Sequence, residues 1–313
     1  MNYFYIFAGK KEIEYYFSSK TKKIIMKKIF SILLIACVAM LFSACQKEGV
    51  YNPSKKISKI WFTDANGTRT LQEAWTWNKD NTLEKIDYYS DNGALAYTMN
   101  FTYEKKRLTR MNVYSNNVYI DYKYEGKNLK EVALYSNGTL IDQYTFTYKN
   151  GKISNFTDTY FGAKADVDVM ISPLQYILPD EIYSPIETIC KKNHEDSKAT
   201  TTSNYELTWE KNNLVKLLRT STTSDQTVEM KAEYDKKNNP FYGAFTELFF
   251  ENNVINGYES QNNVTRAEII SNNGGQVTTN IINYEYSYDG KYPKSRKLLE
   301  NNQTTVTEFE YTK

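Results

Sequence analysis

Residues 122–160 read YKYEGKNLKEVALYSNGTLIDQYTFTYKNGKISNFTDTY, and their periodicity decides the fold. In Tyr144-Thr145-Phe146-Thr147-Tyr148 the aromatic residues recur at every second position. A strand with period two puts them on one face and the threonines on the other. Asn137-Gly138 and Asn150-Gly151 punctuate the stretch. Asn and Gly tolerate the positive φ that a tight hairpin turn requires. The segment therefore predicts consecutive antiparallel hairpins with one aromatic face.

The same unit recurs on both sides. It appears as WTWNKDNTLEKIDYYSDNG from Trp75 and FTYEKKRLTRMNVYSNN from Phe101, and later as LTWEKNNLVKLLRTS from Leu207 and YSYDGKYPKSRKLLENN from Tyr286. The aromatics Trp77, Tyr103, Tyr124 and Tyr148 stand 26, 21 and 24 residues apart, which marks a repeat of hairpins. Tyr284, Tyr286 and Tyr288 alternate with Glu285 and Ser287, and Phe309 and Tyr311 alternate with Glu308, Glu310 and Thr312. One face is aromatic, and the charged or hydroxylated face must meet water. The predicted fold is all-β: an antiparallel β-meander of repeated hairpins over 59–313, forming a curved sheet or partial barrel. Residues 161–203 interrupt the repeat and predict one short irregular or helical insertion. Within it Pro173, Pro179 and Pro185 break VDVMISPLQYILPDEIYSPIETIC (167–190), which forbids a single long helix. This apolar stretch is expected to cover the aromatic face, since an open one would be a large exposed apolar patch.

The beginning of the chain carries a different signal. Residues 26–45 read MKKIFSILLIACVAMLFSAC, with Lys27 and Lys28 before an apolar run that closes on Ser43-Ala44-Cys45. That is the anatomy of a secretory signal peptide. The run is too short for a spanning helix, which needs roughly 20 apolar residues. Its terminal cysteine makes it resemble a bacterial lipoprotein signal, which implies cleavage between Ala44 and Cys45 and lipid attachment (palmitate) at Cys45. The organisation expected is an upstream extension over 1–25, a signal peptide over 26–44, a tether over 45–58 and the β domain beyond. The location expected is the bacterial cell envelope, with the lipid in the outer membrane. Residues 1–44 hold seven of the 39 basic residues and two of the 37 acidic ones, so 32 and 35 remain and the mature net charge is −3. No basic block survives that would suggest nucleic acid or anionic lipid as partner. Of three cysteines, Cys37 lies in the signal and Cys45 takes lipid, which leaves Cys190 without an intramolecular partner.

Each unit, as in Tyr122-Lys123-Tyr124 followed by Leu129, resembles the YD-repeat, or Rhs-like, sequences. The chain is more similar to gut-bacterial lipoproteins that carry a domain of unknown function with a porin-like fold. Tyr234-Asp235-Lys236-Lys237-Asn238-Asn239-Pro240-Phe241 and Ser260-Gln261-Asn262-Asn263-Val264-Thr265 carry that likeness, which spans roughly residues 56–313. The repeat's Asp stands at Asp235 and Asp289, while Glu104, Glu125 and Lys149 replace it elsewhere. The resemblance implies the fold and supplies no catalytic residues. Porin-like does not here mean a pore, because a strand face carrying Lys123, Glu308 and Glu310 does not suit lipid.

Catalytic signatures are sparse. His194, the one histidine, sits in the hydrophilic run Lys-Lys-Asn-His-Glu-Asp and reads as a solvated loop residue. One His and one remaining Cys cannot build a Cys/His zinc site. There is no nucleophile elbow, phosphate-binding loop or dinucleotide fingerprint. Asp166 with Asp168 and Asp180 with Glu181 are the candidate carboxylate pairs, and a glycan hydrolase using such a pair is the alternative reading. The leading expectation is a lipid-anchored, non-enzymatic envelope protein. It has no catalytic, metal or cofactor residues, its membrane partner is reached through Cys45, a glycan or envelope protein is its possible ligand, and it has no nucleic-acid partner.

Overall fold

A computed structural model describes residues 50–90, 92–113, 118–161, 200–222, 224–244, 260–300 and 303–312. The chain divides into two units, Met1–Gln46 and Lys47–Lys313, and the described residues belong to the second. They form sixteen strands. In chain order the first eight are β1 (Ile57–Thr63), β2 (Arg69–Trp77), β3 (Leu83–Tyr89), β4 (Leu95–Glu104), β5 (Arg107–Val113), β6 (Val118–Glu125), β7 (Asn128–Ser136) and β8 (Thr139–Lys149). The second eight are β9 (Lys152–Tyr160), β10 (Thr201–Glu210), β11 (Asn213–Ser221), β12 (Thr227–Asn238), β13 (Asn262–Asn273), β14 (Gln276–Asp289), β15 (Tyr292–Glu300) and β16 (Gln303–Tyr311).

Each strand pairs antiparallel with its sequence neighbours, and β1 pairs with β16 from Ile57↔Tyr311 to Thr63↔Val306. The sheet is therefore a closed barrel, which corrects the expected curved sheet or partial barrel. Closure satisfies the backbone groups that two open edges would leave unpaired. No described residue is helical. The insertion expected over 161–203 lies mostly outside the described residues (162–199), but its last part is strand: Thr201, Thr202 and Ser203 open β10 and pair with Tyr160, Thr159 and Asp158.

The alternating faces fall as the period-two pattern requires. Inward residues such as Ile86, Met99, Met111, Ile120, Tyr144 and Leu217 are all fully buried. They join the other strands' inward residues in one apolar cluster. Sixteen strands in a porin enclose an aqueous channel. Here the described inner wall is mostly apolar and buried. Part of the filling is visible at the end where β1 begins, here the lower end. Phe241, between β12 and β13, packs on Trp75 of β2 and Phe309 of β16, with ring centroids 6.1 and 6.0 Å apart. Tyr51, within the stretch read as a tether, is 1% exposed and donates its hydroxyl to the Pro240 carbonyl at 2.6 Å.

The repeat's anchor aromatics have a specific task at this lower end. In the hairpins they occupy the irregular position where pairing shifts by one residue, as in Tyr124↔Leu129, Tyr148↔Ile153 and Trp209↔Leu214. Each ring then reaches back to the preceding hairpin. Tyr124 donates to the Leu108 carbonyl at 2.7 Å, Tyr148 to Leu129 at 2.8 Å and Trp209 to Ile153 at 2.6 Å. Tyr234 donates to Leu214 at 2.5 Å, Tyr286 to Val264 at 2.8 Å, Tyr311 to Pro293 at 2.7 Å and Trp77 to Ile57 at 2.8 Å. These seven side-chain-to-backbone bonds make a circuit that links hairpin to hairpin around most of the barrel; Tyr103 of β4 is not among the seven donors.

A hydrogen bond of this kind contributes about 0.5–1.5 kcal/mol net, and a buried carbonyl left without its donor costs more. Tyr124→Phe and Tyr148→Phe should each lower unfolding stability by roughly 1–2 kcal/mol in chemical denaturation while leaving the far-ultraviolet β signal unchanged. Midpoints that match wild type would show that the circuit adds nothing to stability.

Candidate functional site

The inner wall is not wholly apolar. Toward the upper end, β8, β9, β10 and β11 bring Asp142, Asp158, Ser203 and Arg219 together. Ladder pairing sets Tyr144 opposite Asp158, Asp158 opposite Ser203, and Tyr205 opposite Arg219. All four polar residues are buried, Arg219 to 1% exposure. Tyr144 donates its hydroxyl to Asp142 Oδ2 at 2.6 Å, and the Gln143 amide donates to Asp142 Oδ1 at 2.8 Å. Arg219 Nη2 donates to Ser203 Oγ at 3.0 Å.

Asp142 and Asp158 share a hydrogen bond, and their environments separate their acidities. Burial, then the charge of Asp158, raises Asp142 well above the ordinary carboxylate range. Burial also raises Asp158, but the Asp142 hydrogen bond and the Arg219 charge hold it to about 6. Burial thus favours a proton on Asp142, shared with Asp158, while the Arg219 charge favours the carboxylate of Asp158. That arrangement stores a proton inside the wall. It does not suit glycoside cleavage, in which the carboxyl groups stand about 5 Å or more apart around a substrate.

The folded state holds this pair's protons more tightly than the unfolded chain. Between the unfolded carboxylate value near 4 and the raised folded values, the native state binds more protons, so stability falls as pH rises. The unfolding midpoint should therefore be higher at pH 5 than at pH 8, as far as this pair is concerned. Asp142→Asn should flatten that slope. An unchanged slope in thermal melts of the variant would remove the pair as its cause.

Two further charged residues face inward on the opposite arc of the barrel. Trp75 Nε1 donates to Glu73 Oε2 at 2.6 Å. Arg296 Nη2 donates to Thr307 Oγ1 at 3.2 Å and stands 5.1 Å from the Tyr284 ring centroid. The outer wall is different in kind, because cross-strand ion pairs cover it. Lys123 meets Glu131 at 2.7 Å, Arg110 grips Asp121 through two bonds of 2.6 and 2.7 Å, and Glu229 lies between Lys216 and Lys231 at 2.6 and 2.9 Å. Arg69 reaches Glu308 at 2.5 Å, and Arg266 reaches Glu233 at 3.3 Å.

The residues singled out from sequence mostly lie elsewhere. Ala44, Cys45, Cys190, His194 and the pairs Asp166/Asp168 and Asp180/Glu181 are outside the described residues. Among the described residues no cluster of three or more His, Cys, Asp or Glu is placed to hold a metal. The two Asp residues of the repeat are structural. Asp235 accepts from the Asn263 amide at 3.1 Å, from its side chain at 3.0 Å and from the Tyr288 hydroxyl, which pins the irregular crossing of β12 and β13. Asp289 pairs with Lys55 at 2.8 Å. Asp142, Asp158 and Arg219 escaped the sequence reading. Their signal was phase: each falls on the inward register of its strand, in step with Tyr144, Phe156 and Leu217.

No protein-family model matches the chain, and no curated protein does. Solved structures do. A porin-like protein from Bacteroides vulgatus ATCC 8482 superposes with a TM-score of 0.52 at 11% identity, covering 83% of this chain and 99% of that one. A porin-like protein from Bacteroides uniformis ATCC 8492 gives 0.48 at 10% identity, covering 85% and 100%. The first of these shows that the chain shares the fold of a porin-like protein, in agreement with the expectation drawn from the sequence.

Proposed function

We propose that this chain is a lipid-anchored, non-enzymatic envelope protein whose barrel stands in water beside the membrane and not within it. The observation that carries this reading is the sidedness of the wall, apolar and buried within, charged and ion-paired without. A barrel that crosses a bilayer needs an outward apolar band about 25 Å tall, and a Lys or Arg at the midplane costs about 2–4 kcal/mol each. Arg110, Lys123, Lys216 and Arg266 sit along the strands and not at their ends, so no shift in depth would spare them. Surface pairs such as these add at most about 1 kcal/mol of stability, so it is their position that matters. The porin-like neighbours are compatible with an envelope setting. A signal peptide that closes on Cys45 supports export and acylation.

The alternative, a glycan hydrolase, draws no support from the pair that the fold assembles. Asp142 and Asp158 are buried against each other and spend their hydrogen bonds within the wall. A filled, rigid barrel suits a scaffold or binding module, with ligand contacts on its outer surface or its connections.

The anchoring is open to a direct test. Labelled palmitate fed to expressing cells should enter the wild-type chain and be absent from Cys45→Ser. Equal incorporation in both would refute acylation at that cysteine.

A further inference from the structure

Antiparallel alternation sorts the connections between strands into two sets, one at each end of the barrel. The lower set comprises the approach to β1 (50–56) and the connections at 78–82, 105–106, 126–127, 150–151, 211–212, 239–261 and 290–291. Its described residues hold eight lysines against the single acidic residue Asp80, while Glu104, Glu125, Glu210 and Asp289 end the strands that lead into it. The described residues of the upper set, at 64–68, 90–94, 137–138, 161, 200, 222–226 and 274–275, hold no Lys or Arg and two aspartates, Asp64 and Asp225. Residues 245–259, outside the described ones, add three glutamates to the lower connection between β12 and β13. The lysines still predominate. A chain whose mature net charge is negative therefore has one basic end.

Structural roles account for some of these cations and leave a surplus. Lys55 pairs with Asp289 and stands 4.5 Å from the Tyr311 ring centroid, and Lys56 donates to Asn81 at 2.7 Å. Lys79, Lys105, Lys106, Lys127, Lys211 and Lys291 are exposed and make no ion pair among the described residues. Lys106 lies near enough to Asp80 for its charge to favour that carboxylate, and the six lysines gathered at one end make a surface that attracts anions.

The course of the chain names the partner. Tyr51 is locked into the lower end, so the polypeptide enters the barrel there. Cys45 precedes Val50 by five residues, and an extended chain spans at most about 3.6 Å per residue, which limits an acyl group on Cys45 to about 18 Å from Val50. We propose that the lysine-bearing lower end of the barrel docks on an anionic bilayer surface through lipid phosphates, which orients the barrel with its upper connections away from the membrane. This rests on the acylation of Cys45 for its choice of a membrane over other polyanions. Acyl chain and basic surface would then act together, the combination that gives stable attachment. Each lysine near an anionic surface is worth about fivefold in partitioning.

The test uses the full chain with two readouts. The first is lysine footprinting of the lipidated protein on vesicles of phosphatidylcholine alone or with one-third phosphatidylglycerol. Lys105, Lys106, Lys127 and Lys211 should become several-fold less reactive on the anionic vesicles, while Lys231, on the outer wall, stays unchanged; 0.5 M salt should restore reactivity. The second readout is sedimentation of Cys45→Ser protein with the same vesicles. Lys105→Gln, Lys106→Gln, Lys127→Gln and Lys211→Gln together should lower its ratio of anionic to neutral binding by tenfold or more, with residues 1–44 cancelling in the comparison. These side chains are exposed and make no ion pair among the described residues, so the melting midpoint should change by no more than a degree or two. Equal footprints on both vesicle types, or a ratio unaffected by the four substitutions, would overturn the proposal. So would salt-sensitive binding to a single-stranded oligonucleotide without any to anionic vesicles. Failed acylation with a substitution-sensitive ratio would leave the basic surface standing and remove only the lipid anchor.

Discussion

The circuit of aromatic donors at the lower end is the constraint on which the barrel depends. A hairpin contributes only local pairing, and sixteen strands must still close with the right register. At Trp77, Tyr124, Tyr148, Trp209 and Tyr234 the anchor ring sits at a bulge, and its hydroxyl or indole N–H is fixed at a set height and aimed sideways. The acceptor is the backbone carbonyl at the equivalent position of the preceding hairpin, as Leu108 is for Tyr124 and Leu129 is for Tyr148. A slip of one residue would turn the ring to the outer face and break the bond. The anchors thus tie each hairpin's register to the last one, and the circuit reaches β1 when Trp77 meets the Ile57 carbonyl.

This dependence explains what was legible in the sequence. The anchors needed a fixed position in each unit, so the repeat of Trp77, Tyr103, Tyr124 and Tyr148 stood out, and with it the strands and their two faces. Closure was not legible. A hairpin in an open sheet and one in a barrel need the same local residues, and what separates them is the pairing of Ile57 with Tyr311, 254 positions apart. Nor could the sequence show how Phe241 fills the space between distant strands, because its partners Trp75 and Phe309 come from the two ends of the domain. The Asp142–Asp158 pair was half legible. Phase could have marked both residues as inward, but only the barrel's curvature brings them to Arg219.

The buried charges bear on why the fold is not a pore. A water-filled lumen would solvate Asp142 and Asp158 and keep both ionised. Instead the wall desolvates them, which favours the protonated form of Asp142. Replacing such a group by an apolar one often leaves a protein as stable or more so, so energy alone does not account for its presence. What the group does supply is register: Tyr144, Ser203 and Arg219 can satisfy the pair only when β8 to β11 stand in their observed alignment. The polar cluster performs for the upper part of the wall what the aromatic circuit performs below.

The two ends then differ for a physical reason. Below, five of the connections are two-residue turns, and positive φ at Lys105, Lys106, Lys211 and Asn150 shows how tightly they are wound, while 78–82 and 239–261 are longer. Such turns leave little freedom in backbone or length, and their exposed positions vary only in side chain. Lysine at those positions costs the fold little, since the side chains point to water. Above, no ring fixes the turns, and connections there run from the two residues at 137–138 to the stretch between Phe161 and Thr200. Insertions are tolerated where backbone bonding does not forbid them. Long connections therefore occur at both ends, at 239–261 below and between Phe161 and Thr200 above, and what divides the ends among the described residues is charge: lysine sits on the tight lower turns, and the upper connections carry none.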